Sequence, residues 1–159
     1  MCIITDTPVQ VLSVQENVGG VDAQINVSYK VRSVHRRKGN SKKCIWTLNP
    51  KEEVDCFRDA ASAKWLDANA WSIAKHGWGL KVNANGGLEE VGISDQGESL
   101  KIAKFVDSSL NYEWHGYPAD YSQRKQDKPP ISVLADWKER RLITKTQMSK
   151  IKQFQRCNL

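Results

Sequence analysis

The sequence predicts an α+β fold with four parts: an N-terminal antiparallel sheet, one long central helix (whole or broken near Asp67–Asn69), a short second hairpin and a C-terminal helical pair. Three observations carry this expectation. Residues 23–34, AQINVSYKVRSV, alternate apolar and polar with the period of a half-buried strand. Residues 49–52, NPKE, have the order of a helix start: a capping Asn, Pro at the first helical position and Glu three residues after the cap. Residues 144–147, TKTQ, repeat the capping pattern near the C-terminus. A chain of 159 residues fits one domain over 1–159, with 130–156 as a helical tail packed on it.

The elements follow in order. Residues 9–14 alternate loosely, and Gly19-Gly20 mark a turn into the clearer strand. There Ala23, Ile25, Val27, Tyr29 and Val31 point one way, and Gln24, Asn26, Ser28, Lys30 and Arg32 the other. Residues 35–43 read as a basic turn around Gly39-Asn40, with 44–48 as the returning strand, so that positive charge crowns a hairpin tip. Val54, Phe57, Ala61, Trp65, Ala68 and Trp71 then recur at helical spacing. That helix is expected to end at Lys75-His76-Gly77, where Gly77 suits the left-handed cap and His76 the negative end of the helix dipole.

Residues 78–82 and 88–93 form the second hairpin across Asn85-Gly86-Gly87. Residues 100–106 fit a helix or a strand equally, because a short apolar run has no telling period. Residues 111–130 read as a loop rich in aromatic residues, Pro and Gly. Pro130 opens a helix to about residue 141 with Val133, Leu134 and Trp137 on one face. Thr144 and Gln147 cap the last helix, Ile143 and Met148 staple it, and Ile151 and Phe154 continue its apolar side.

Composition narrows the class. The six tryptophans are expected mostly in the core, since each aromatic buries roughly 150–250 Å². No apolar run approaches the roughly 18 residues of a membrane span, and MCIITDTPVQ lacks the basic start of a signal peptide. A cytoplasmic protein without membrane contact is expected. The four cysteines are scattered without a CxxC pair, which points to thiols rather than a disulfide framework, and no metal site is expected. Phosphate-loop, dinucleotide, nucleophile-elbow and HExxH patterns are missing, so no cofactor is expected.

The net charge of +6 is unevenly laid out. Residues 30–43 hold seven bases and no acid, residues 124–159 hold ten bases and three acids, and the remainder carries −8. If the two segments adjoin, they form a surface for an acidic partner, either nucleic acid or an acidic protein. Its expected members are Arg36, Arg37, Lys38, Lys42 and Lys43 from the first segment. Tyr121, Arg124, Lys125, Lys150 and Lys152 come from the second. Tyr117 and Tyr121 beside Arg124 and Lys125 fit single-stranded nucleic acid, whose bases stack on rings while cations track its backbone. The plainer reading is charge that only keeps the protein soluble.

The runner-up function is a small hydrolase or nuclease. His115 would be its general acid or base, Glu113 or Asp120 would orient the ring, and Tyr117 would donate to an anion. Against it stands a packed lid pinned by Trp114 and Tyr117, with a hydrogen-bonded histidine inside.

Overall fold

The structure is a computed structural model that describes residues 3–37 and 43–159. Its first elements are β1 (Pro8–Val18) and β2 (Val21–Lys30), an antiparallel hairpin that turns at Gly19-Gly20, both with positive φ. The period-2 reading of β2 holds: Ile25, Val27, Tyr29 and Val31 are buried on one face. After a short 3-10 turn (Ser33–His35) come β3 (Ile45–Trp46) and α1 (Pro50–Ala63). The second half contains β4 (His76–Val82), β5 (Leu88–Glu89), β6 (Gly92–Ile93), β7 (Ser99–Leu100), β8 (Ile102–Val106) and β9 (Glu113–Pro118). Two helices, α2 (Ile131–Glu139) and α3 (Lys145–Lys152), close the chain.

The strands make a six-stranded sheet, ordered β1-β2-β9-β8-β4-β5, and a three-stranded sheet, β3-β6-β7. The mixed α+β class is therefore as expected, while the connections differ. β9 pairs with β2 in parallel and with β8 antiparallel, so it sits inside the large sheet.

Four expectations are corrected. Residues 113–118 do not belong to a loop, because Glu113–Pro118 is a central strand whose burial alternates at every residue. Gly116 is required there, since a Cβ would lie 2.6 Å from Phe105 Cδ1 and 2.7 Å from the Tyr29 hydroxyl. Residues 44–48 do not return along β2. β3 pairs instead with β6, where Gly92 admits Pro118 so closely that a Cβ would stand 2.2 Å from its Cγ. The long helix stops at Ala63, because Lys64 takes a left-handed conformation (φ 57°) and closes the last turn. Trp65, Leu66, Trp71 and Ala74 are buried from an irregular segment, which mimics helical spacing. His76 and Gly77 consequently open a strand rather than cap a helix. The ambiguous run 100–106 is mostly strand β8.

The capping boxes of α1 and α3 are both formed, by Asn49 with Glu52 and by Thr144 with Gln147. α1 lies across the sheet through Phe57. Its ring centroid is 4.8 Å from that of Tyr29, 5.2 Å from Phe105 and 5.8 Å from Trp114. Burying one such side chain contributes about 1.5–3 kcal/mol. α2 docks through Trp137, edge-on to Trp65 at 5.7 Å. All six tryptophans are buried. Among the described residues, no helix is long and apolar enough to cross a membrane.

Candidate functional site

β9 turns two faces to different surroundings. Trp114, Gly116 and Pro118 are buried, and Glu113, His115 and Tyr117 are half-buried on the opposite side. Glu113 pairs with Lys30 at 2.9 Å, next to the parallel register Ser28↔Glu113. Tyr117 donates its hydroxyl to Asp127 at 2.7 Å, and the other oxygen of Asp127 accepts the Asp120 N–H at 2.9 Å. The fully buried Asp127 thus ties the end of β9 to the chain entering α2. Burial, then the Asp127 carboxylate, raises the Tyr117 phenol well above its ordinary value.

Lys104, opposite Tyr117 in the β8–β9 register, is buried with its ammonium 4.0 Å above the Trp78 ring. It donates to the Gln126 carbonyl, and burial lowers its pKa to about 8.

The 3-10 turn places His35 against this strand. Its ring stacks on Tyr117 with centroids 5.5 Å apart and planes 25° from parallel. His35 Nδ1 lies 3.1 Å from the Cys44 carbonyl oxygen. A carbonyl only accepts, so Nδ1 carries the proton and Nε2 a lone pair. Burial lowers the His35 pKa, and the charges of Lys43, Arg32 and Arg124 lower it further. Arg124 also reaches the Cys44 thiol at 3.9 Å. His115 feels the same field. Burial first, then Arg32, His35 and Lys30, depress its pKa to about 4. Cations from both basic segments therefore act on one neighbourhood.

The arrangement offers His115 no catalytic partner among the described residues. Its Nδ1 is buried without a hydrogen-bond partner. Glu113 engages Lys30, while Asp120 accepts from Ser122 at 2.9 Å and meets Arg156 at 3.4 Å. Neither carboxylate orients the ring as expected. Two grooves, of about 320 and 470 Å³, lie elsewhere. The first is lined by residues such as Asp120, Ser122 and Arg156, the second by Leu12, Glu16 and Trp71, and neither by His35, His115 or Tyr117. Among the described residues no cluster of three His, Cys, Asp or Glu side chains could hold a metal.

The expected binding residues separate. Arg36 turns inward. It meets the fully buried Glu53 at 2.5 Å and donates to the Leu48 carbonyl at 2.7 Å, so its charge is engaged against α1; the expected turn around Gly39-Asn40 lies outside the described residues. Tyr121 is buried, and its hydroxyl donates to the Gln155 carbonyl at 2.9 Å, so its ring is not at the surface. Arg37 and Lys125 are exposed, Lys43 and Arg124 half-buried, and Lys150 and Lys152 exposed on α3, which packs against α2. Lys38 and Lys42 lie outside the described residues. Sequence reasoning did not single out Lys30, Arg32 or His35, although Lys30 and Arg32 occupy the polar phase of the β2 alternation. Asp127 and Lys104 gave no signal, since nothing local in the sequence shows that a charged residue will be buried.

No protein-family profile, curated protein or solved structure matches this chain.

Proposed function

We propose that this protein is a binding protein that engages an anionic partner through the cations around the outer face of β9. One observation supports this reading: Arg124 of the second basic segment reaches the Cys44 thiol at 3.9 Å, next to Lys43, on the residue whose carbonyl holds His35 of the first segment at 3.1 Å. Like charges held together repel, and an anion relieves that repulsion. Arg32 and Lys43 have no ion pair among the described residues, so their charge is available to a partner. Nucleic acid and an acidic protein both offer the required charge. The hydrolase reading loses ground because no described carboxylate or hydroxyl positions His115.

The test is equilibrium binding of a labelled oligonucleotide and of polyglutamate over a series of salt concentrations. Affinity for at least one should fall steeply as salt rises, because released counterions drive the association. No binding at low salt, or an affinity indifferent to salt, would sink the proposal.

A further inference from the structure

The geometry points to single-stranded nucleic acid as the anionic partner, with a base stacked against the His35–Tyr117 pair and phosphates held by Arg32, Lys43 and Arg124. This inference rests on the preceding reading and narrows it to one ligand class.

The centre of the cationic neighbourhood is a pair of rings rather than another charge. Tyr117 is fixed by Asp127 at 2.7 Å and His35 by the Cys44 carbonyl at 3.1 Å, so the stack is ordered before any ligand arrives. Both residues are half-buried rather than sealed in the core. Burial, and after it the charges of Lys43, Arg32 and Arg124, lower the His35 pKa and so favour the neutral imidazole. Its Nε2 lone pair can accept a hydrogen bond from a base N–H.

A carboxylate-bearing protein has no use for a neutral ring amid cations, since each of its charges is better met by Lys or Arg. A duplex offers phosphates, but its base faces are already stacked inside the helix. A single strand presents both features: phosphates for the cations and an open base face for the ring. The flat His35 ring suits the base, and the cations of the two segments suit the backbone.

Four probes of equal length separate the outcomes: labelled oligothymidylate, an abasic strand with the same phosphates, a DNA duplex and polyglutamate. Oligothymidylate should bind the wild-type protein roughly tenfold or more tightly than the abasic strand, the range of a single base–ring stack. It should also outbind the duplex and polyglutamate. His35→Ala should abolish most of the preference for oligothymidylate over the abasic strand, and His35→Phe should keep most of it. The comparison of strands on the wild-type protein needs no variant, so a poorly folded His35→Ala does not spoil it. Equal affinity for base-bearing and abasic strands would overturn the inference, as would preference for duplex or polyglutamate. In those cases salt-dependent binding would still uphold the anionic reading, whereas failure to bind any probe would overturn both.

Discussion

The two faces of β9 are built from adjacent residues yet are held by different forces. Toward α1, Trp114 packs 5.8 Å from Phe57 and 5.3 Å from Trp71, and Gly116 leaves room for Phe105 and Tyr29. That side is shape and apolar area. On the other side, Glu113 and Tyr117 meet Lys30, His35, Lys104 and Asp127, and His115 lies in the field of Arg32. That side is charge and hydrogen bonding in a partly wet setting, with His115 Nδ1 left unpartnered among the described residues. Stability should therefore reside on the first face and responsiveness to salt and ligand on the second, while each face carries a pH-sensitive group of opposite sign.

The largest effect is expected from Trp114→Ala. Removing a fully buried indole from the aromatic cluster should cost about 3–5 kcal/mol in urea unfolding. A loss below about 1 kcal/mol would mean that this face is not the structural one.

Next comes Glu53, the charged residue on the aromatic side. It accepts from Tyr29 at 2.5 Å and from Arg36 at 2.5 Å. Glu53→Gln keeps the shape and weakens both bonds, and should cost about 1.5–3 kcal/mol, the range for hydrogen bonds to charged groups. Burial pushes its carboxyl from 4.5 up to about 7, outweighing the opposing pull of Tyr29 and Arg36. The folded chain thus holds this proton more tightly than the unfolded chain. The contribution of Glu53 to stability is full below pH 4.5 and is lost as pH rises through 7.

His115 should behave in the opposite sense. Its pKa of about 4 lies below the ordinary 6.5, so the unfolded chain takes up the proton first as pH falls. Its contribution is full above pH 6.5 and is lost as pH falls toward 4. Between about pH 4.5 and 6.5 the two groups oppose each other. Unfolding curves across that window should steepen upward with pH in Glu53→Gln and downward in His115→Gln, each relative to wild type. Parallel curves for all three proteins would show that the two faces do not differ electrostatically.

The first face was the more legible in the sequence. Alternation in 23–34 located the buried side of β2, and the tryptophans announced their own burial. The capping residues at 49–52 and 144–147 worked because they act within one turn of chain. The second face depends on contacts that join residues far apart. Lys30 meets Glu113, and His35 meets Tyr117, only because β9 enters beside β2 in a parallel pairing that no hairpin signal marks. Gly116 and Pro118 made that strand read as loop, although 113–118 alternate at period 2. Arg36 shows the same limit: a basic run gives charge but not direction, and Glu53 drew one member of the run inward.

The smallest effect on stability is expected from Arg32→Ala combined with Lys43→Ala, within about 0.5 kcal/mol, because neither side chain makes an ion pair among the described residues. The same double variant carries the heaviest consequence for binding. Single-strand affinity measured against salt, for wild type and for this variant, tests most directly whether the outer face of β9 is the binding face. A double-logarithmic slope shallower by about 1.4, from two lost phosphate contacts, is the predicted result. Identical slopes and affinities in the two proteins would contradict it.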